Sequence, residues 1–236
     1  MSMFPVAILA GGLATRLRPV TEKVPKALLP FAGRPFIHWQ LELLARQEIT
    51  QVVLCVGFLG EQIESAVGSG SQFGMQVRYS FDGDVLLGTG GALRHALPML
   101  GEAFFVLYGD SYLDCSFAEV QAAYEVSRLP ALMTVFHNAG HWDRSNVLWR
   151  DRAIVEYNKH SPRADMAHVD YGLSVVSARA LAQWPDGAVF DLADAYHELS
   201  LRGELAGFEV GERFYEIGSM RGMEETERHL SARVGQ

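Results

Sequence analysis

Residues 6 to 35 read VAILAGGLATRLRPVTEKVPKALLPFAGRP, and the opening VAILAGG decides the fold class. An apolar run, Val6 to Ala10, ends in Gly11-Gly12. That is the pattern of a buried strand running into a turn where the backbone comes close to something. Arg16, Arg18, Lys23 and Lys26 then follow within a stretch whose only acid is Glu22. The whole chain carries a formal charge of -8, so this basic segment stands against its background. Glycine turns let backbone N–H groups reach phosphate oxygens, and Lys and Arg neutralise them. A solvated basic loop would leave the paired glycines, and Pro19 and Pro25, without a reason.

Outward from this stretch, strands and helices alternate. Strands are expected at Val6–Ala10, Gln51–Val56, Gln76–Ser80, Phe104–Leu107 and Ala131–Phe136. Between them, helices are expected at Pro35–Gln47, Gly60–Val67, Gly91–Leu100 and Ser116–Ser127, the last opened by a serine cap, with Asp114 as an alternative cap. Alternation of this kind, with apolar strands, predicts an α/β three-layer sandwich around a mainly parallel sheet. After His137 the rhythm changes: a hairpin (Asn146–Trp149, Ala153–Tyr157), strands at Gly172–Val176 and Phe208–Val210, and helices at Leu192–Arg202 and Met220–Leu230. The expectation is one domain over 1–236, with a nucleotide-binding half (1–137) and an acceptor-binding half (138–236).

The bulk numbers narrow the class. The chain has 236 residues, 49% of them hydrophobic, enough for a sizeable core. No run reaches the eighteen or so apolar residues of a membrane span, and no secretory n-region or cleavage site is visible, which predicts a cytoplasmic protein. Cys55 and Cys115 are expected as free thiols. The acidic balance argues against nucleic acid as a partner. Trp142 and Trp184 are either core aromatics or contacts of a homo-oligomer.

Several later segments carry chemistry. Tyr108-Gly109-Asp110-Ser111 follows a buried strand, and ligands of open α/β sheets bind beyond the carboxyl ends of strands. Asp110 is therefore placed to hold Mg²⁺. Leu87-Gly88-Thr89-Gly90-Gly91-Ala92 crowds glycines where packing gives no evident reason, and suits backbone lying against a base or ribose. Lys159, beside Asn158, is a candidate for a second phosphate. Asp170-Tyr171-Gly172 is a candidate for polyol hydroxyls, and Glu216 for a share of the metal. The turn after Val6–Ala10 is neither a P-loop nor a dinucleotide fingerprint. The histidines have no metal-ligand spacing, and no Ser–His–Asp arrangement is legible.

Taken in order, these segments resemble the sugar-1-phosphate nucleotidylyltransferases. Leu9 to Leu17 and Pro25 to Pro30 resemble the signature LAGGxGTRLxP…PKxLLP, Leu87–Ala92 the LGTxGA loop, and Gly109-Asp110 the metal-binding GD. Lys159 resembles the lysine of the EKP segment, and Glu216-Ile217-Gly218 the late D-x-G. The short form is similar to heptose-1-phosphate guanylyltransferases and N-acetylmuramate-1-phosphate uridylyltransferases.

The resemblance implies a Rossmann-like nucleotide-diphospho-sugar transferase fold and transfer of a nucleoside monophosphate from an NTP to a sugar 1-phosphate. It implies Arg16, Lys26 and Asp110 as catalytic residues. Leu9, Ala10, Gly11, Gly12, Gly88, Thr89 and Gly90 would frame the nucleotide. Asn158, Lys159, Asp170, Tyr171 and Gly172 would meet the sugar phosphate, and Asp110 and Glu216 would hold Mg²⁺. Gly90-Gly91 leans towards the guanylyl members. Ala14 stands where glycine is usual, Asn158 for glutamate, Asp170-Tyr171 for Asn-x, and Glu216 for aspartate. Two other readings compete: a non-sugar acceptor such as phosphocholine, and an inactive nucleotide-sugar-binding regulator.

Overall fold

In the computed structural model the residues described are 2–138, 140–142 and 144–234. The chain opens with β1 (Val6–Leu9), then three short 3₁₀ turns and a hairpin of β2 (Pro30–Phe31) and β3 (Arg34–Pro35). The order continues α1 (Phe36–Arg46), β4 (Gln51–Val56), α2 (Gly60–Val67), β5 (Gln76–Phe81), α3 (Gly88–Leu100) and β6 (Ala103–Tyr108). Next come β7 (Ser111–Leu113), α4 (Phe117–Ser127) and β8 (Ala131–His137). The remainder holds β9 (Val147–Arg150), β10 (Ala153–Tyr157), β11 (His168–Ser177), α5 (Leu192–Leu201), β12 (Leu205–Val210), β13 (Phe214–Glu216) and α6 (Met220–Val234).

Nine strands form one mixed sheet, in the order β10-β9-β11-β6-β1-β4-β5, with β8 pairing β11 and β12. The run β6-β1-β4-β5 is parallel throughout, and β11 joins it antiparallel to β6. Side chains alternate faces, so each parallel strand feeds two cores. Val6, Ile8, Val52 and Leu54 pack with α1 and α2 residues such as Leu41 and Ile63. Ala7, Val53, Cys55 and Val106 pack on the other face with Leu93 of α3 and Tyr196 of α5. This is the expected α/β three-layer arrangement. A third cluster (Phe31, Trp39, Tyr112, Ile217, Leu230) seats α6 against α1 and the loop after β1.

Two readings need correction, and one strand pair is new. α3 begins at Gly88, three residues earlier than expected, so the clustered glycines form its first turn. Asp114 does not cap α4: Ser116 does, its side chain accepting from Glu119 N at 3.2 Å, while Asp114 pairs with Arg233. The short strands β7 and β13, which no periodicity announces, pair with each other, bringing Glu216 opposite Ser111. Cys55 and Cys115 are free and buried, and burial pushes both thiols up to about 12. Among the described residues no helix is long and apolar enough to cross a membrane. Trp184 stacks on Phe190, and Trp142 lies under the Arg213 guanidinium.

Candidate active site

The parallel strands end in step. Leu9 aligns with both Cys55 and Tyr108, and Cys55 with Ser80. Two residues past that level stand Asp110, Gly11, Gly57 and Asp82, in the order of the strands that carry them. The middle two must be glycines: a Cβ at Gly11 would lie 2.9 Å from Gly57 N, and one at Gly57 2.9 Å from Gly11 O. Gly12 differs. No protein atom lies within 4 Å of its would-be Cβ, so packing does not explain it. It lines a cavity of about 260 Å³ with Gly11, Lys26, Asp82, Leu86 and Gly88; Leu9, Ala10 and Thr89 also contribute.

Ala14, in the usual glycine position, adopts the left-handed conformation (φ 46°, ψ 44°). That is the reason glycine suits the site. The carbonyl of Ala14 is held by the buried Thr21 hydroxyl at 2.8 Å.

The glycines of α3 have a packing reason after all. A Cβ at Gly90 would stand 2.2 Å from the Phe190 ring, and one at Gly91 2.2 Å from Ala188 O. Gly90 N donates to Phe190 O at 3.0 Å. The segment before α5 therefore lies where the sequence reading put a base, and Gly90 serves that contact. Gly88, at φ +74°, borders the cavity and is also tight against this segment, a Cβ there lying 2.5 Å from Phe190 O. Thr89 is also engaged internally: its hydroxyl donates to Asp191 Oδ1 at 2.7 Å and accepts from Leu192 N at 2.8 Å.

Asp110 is clamped from several sides. Gln40, buried on α1, donates to Tyr108 O (2.9 Å) and Ser111 O (2.8 Å), and Ile217 N donates to Asp110 O (2.9 Å). Gly109 fits because a Cβ there would lie 2.7 Å from Leu9 O. The Asp110 side chain meets Lys26, with Nζ to Oδ2 at 2.5 Å.

A second cavity, about 380 Å³, begins on the far side of this pair. Its walls include Arg16, Asn146, Asp170, Gly172 and Glu216, and it shares Tyr108 and Asp110 with the first. Arg16 thus borders the second cavity and Lys26 the first.

Within the second cavity, β11 bulges between Asp170 and Ser174. Gly172 sits there at φ +101°, and its N–H donates to Asp170 Oδ1 at 2.9 Å. Burial raises the Asp170 pKa to about 6, against the pull of the Gly172 amide and Lys159; Asp191 adds to the rise. Asn146 Oδ1 accepts from Asp170 N at 3.0 Å.

Tyr171 lines the same cavity beside Asp170. Its ring is buried between Phe136 and Phe214, and among the described residues its hydroxyl has no hydrogen-bond partner. It belongs both to the core and to the wall of the second cavity. Asn158 closes a turn, its Oδ1 accepting from Ser161 N at 2.8 Å. Lys159 is held 3.1 Å from Asp191 Oδ2 and borders neither cavity, though it lies near enough to act on Asp170.

Glu216 turns its carboxylate back on the start of α6. It accepts from Gly218 N, from Ser219 N at 3.1 Å and from Ser219 Oγ at 2.5 Å. The extra methylene needs room, and Gly222 supplies it: a Cβ there would be 1.8 Å from Glu216 Oε1. The same carboxylate faces Asp110 across Gly218, whose would-be Cβ lies 3.0 Å from Glu216 Oε2 and 3.5 Å from Asp110 Oδ2. Among the described residues no three His, Cys, Asp or Glu side chains form a metal cluster, so any ion would rely on this pair and on ligand oxygens.

Two residues escaped the sequence reading. Asp82 follows its strand as Asp110 follows β6, so the strand-end rule could have found it. Asp191 caps α5, accepting from Ala193 N at 3.0 Å, while also holding Thr89 and Lys159. The cap is legible in sequence; the two long-range partners are not.

Residues 6–140 match the model of the nucleotidyl transferase family. The chain belongs to that family. Over 162 residues it is 38% identical to the N-acetylmuramate α-1-phosphate uridylyltransferase of Neisseria meningitidis serogroup B, covering 68% of this chain and 62% of that protein. Over 114 residues it is 32% identical to the D-glycero-α-D-manno-heptose 1-phosphate guanylyltransferase of Campylobacter jejuni, covering 48% and 51%. The match thus spans between about half and two thirds of these relatives' lengths. In fold, HddC from Yersinia pseudotuberculosis, solved with GMP-PN, superposes with a TM-score of 0.79 at 21% identity, covering 97% of this chain and all of that one. The family resemblance read from the motifs is borne out, as is the α/β nucleotidyltransferase fold.

Proposed function

We propose that this member of the family transfers a nucleoside monophosphate from an NTP to a sugar 1-phosphate, giving an NDP-sugar and pyrophosphate. The observation that carries the reading is the meeting of two cavities on Tyr108 and Asp110, with Lys26 at the junction. One cavity takes the nucleotide and the other the sugar phosphate. An oxygen of the sugar phosphate attacks the α-phosphorus; the new P–O bond forms as the bond to the β-phosphate bridge breaks, and pyrophosphate leaves. No covalent enzyme intermediate is required, so alignment and charge neutralisation do the work.

Lys26 neutralises the α-phosphate, and Gly11 and Gly12 leave room for the phosphates. Arg16, bordering the second cavity, lies on the side where the acceptor approaches and stabilises charge shared between the two anions. Asp170, with Gly172 fixing its carboxylate, accepts hydrogen bonds from sugar hydroxyls. Lys159 moves from Asp191 to the sugar phosphate. The names of the two relatives, each a transferase for a sugar 1-phosphate, support that acceptor class.

Mg²⁺ fits the donor set. Asp110 and Glu216 face a common point, both are hard oxygen donors, and the Lys26 ammonium already holds the position of a cation on Asp110. Three donors on Glu216 leave that carboxylate one lone-pair site. A bound Mg²⁺ would offset repulsion between the two anionic reactants.

The test is pyrophosphate release, crossing the four NTPs and dTTP with a panel of sugar 1-phosphates and with phosphocholine. Release that requires both an NTP and a sugar 1-phosphate is expected. Release with phosphocholine alone would replace the acceptor, and tight NDP-sugar binding without any turnover would make the protein a sensor.

A further inference from the structure

Among the described residues Trp142 is the one Phe, Tyr or Trp that stands exposed, at 39%, and it lines the second cavity. A lone apolar side chain on an open surface needs no explanation, but an aromatic fixed at the wall of a cavity does. The loop between β8 and β9 that carries Trp142 is pinned at its start by the buried Asn138. Asn138 Oδ1 accepts from Trp142 N at 3.0 Å, and Asn138 Nδ2 donates to Ser145 Oγ at 3.1 Å. At the end of the same loop Asn146 Oδ1 accepts from Asp170 N at 3.0 Å, which ties the loop to the bulge of β11.

The ring is fixed as well as the backbone. The Arg213 guanidinium lies 3.7 Å from the Trp142 ring centroid and is held there by Glu225 Oε2. Arg221, on α6, donates from Nε to the other oxygen of Glu225 at 3.0 Å and lies 5.5 Å from the same ring. The indole plane is thus set before a ligand arrives, so stacking on it orders little more of the protein. An aromatic face is negative, and the weakly positive C–H bonds on one face of a sugar ring suit it. A quaternary ammonium also suits a bare aromatic face. Here two guanidiniums, against one carboxylate, already stand beside the ring, and they repel a further cation.

We propose that Trp142 is a specificity-determining residue for the acceptor: its indole stacks on the C–H face of the acceptor's sugar ring, and the guanidiniums beside it turn away a cationic acceptor such as phosphocholine. The proposal deepens the nucleotidyl transfer reading and rests on it. It gives the second cavity a contact for the apolar face of the ring, where Asp170 serves the hydroxyls.

The experiment is pyrophosphate release by the full chain with Mg²⁺ and each NTP, using the 1-phosphates of glucose, mannose, galactose and N-acetylglucosamine, and phosphocholine. At least one sugar phosphate should turn over, and phosphocholine should not. With the best sugar phosphate, Trp142→Ala should raise its KM by about five- to tenfold, the scale of one aromatic stacking contact, and leave the KM for the NTP unchanged. Trp142→Phe, which keeps a flat ring, should recover most of that loss, whereas Trp142→Leu, apolar but not flat, should not. A purely structural role would not separate the two. A cooperative thermal melt verifies that each variant is folded. In the unsubstituted protein, the same sugar phosphate should slow oxidation of Trp142 by N-bromosuccinimide, read by peptide mass spectrometry, and the NTP alone should not. An unchanged KM in folded Trp142→Ala, equal recovery by Leu and Phe, oxidation indifferent to the sugar phosphate, or turnover of phosphocholine would overturn the proposal while leaving nucleotidyl transfer intact. No pyrophosphate from any pair would overturn both.

Discussion

Lys26 Nζ lies 2.5 Å from Asp110 Oδ2, joining the loop after β1 to the loop after β6 at the seam between the two cavities. Both side chains are partly exposed, at 22% and 32%, so the pair adds little to stability, about 1 kcal/mol or less. Its significance is positional. The carboxylate holds the ammonium at the line where an acceptor phosphate would meet the nucleotide.

Lys26→Ala should therefore lower kcat/KM for nucleotidyl transfer by about 10²- to 10³-fold, the usual loss for one transition-state donor. The melting temperature should move by only a few degrees. Turnover near that of the wild type would remove Lys26 from the reaction.

Asp170 predicts a pH dependence. Folded, it keeps its proton to about pH 6, whereas in the unfolded chain it releases it near pH 4. Between those values the native state binds the proton more tightly, so stability falls as pH rises from about 4 to about 6 and is level above. The loss is about 3 kcal/mol at most. Asp170→Asn should flatten this limb in denaturant titrations read at pH 4.5 and 7. In the wild type, kcat/KM for the sugar phosphate should rise through an apparent pKa near 6, as the ionised carboxylate becomes available to hydroxyls.

Gly12 and Gly90 should behave oppositely when changed to alanine. At Gly90 the new methyl meets the Phe190 ring at 2.2 Å, and overpacking of that kind costs about 1–3 kcal/mol. At Gly12 it meets nothing within 4 Å, so folding should be unaffected while affinity for the NTP drops. Thermal melts and nucleotide titrations on the two variants separate these outcomes. A stability loss at Gly12, or none at Gly90, would reverse the assignment.

Glu216 and Gly222 form a matched pair. Gly222→Ala drives a methyl to 1.8 Å from Glu216 Oε1 and should destabilise by about 1–3 kcal/mol. Shortening the acid in Gly222→Ala/Glu216→Asp removes the side-chain part of that collision and leaves the contact with Glu216 O at 2.6 Å. The double-mutant cycle should show a coupling of about 1 kcal/mol or more, with the double variant more stable than the sum of the singles predicts. Additive effects would show that Gly222 does not accommodate the longer acid.

What the sequence disclosed followed from local patterning. The runs 51–56 and 104–107 read as strands because apolar, β-rich residues continue unbroken, as strands buried on both faces require. The sequence of Lys26, Asp110 and Glu216 was legible because each stands in or next to a motif. Long-range exchanges were not. Nothing in Leu87–Ala92 announces that the segment of Ala188 and Phe190 will lie against it, so its glycines read as ligand-facing when all three answer to packing. Tyr171 reads as a site residue from its neighbour Asp170 and does line the second cavity, but its packing between Phe136 and Phe214, both distant in sequence, was not legible. Three-residue β7 and β13 are too short for any period, and only their pairing brings Glu216 towards Asp110.

The central claim is that an oxygen of the sugar phosphate becomes the new bridge to the α-phosphorus, with pyrophosphate drawn wholly from the NTP. A sugar 1-phosphate carrying ¹⁸O on its phosphate, turned over with an unlabelled NTP and followed by mass spectrometry, tests this directly. The account predicts that all of the label stays in the NDP-sugar, one labelled oxygen forming the new bridge, and that the pyrophosphate is unlabelled. Label in the pyrophosphate or in free phosphate, or pyrophosphate released without the sugar phosphate, would contradict it.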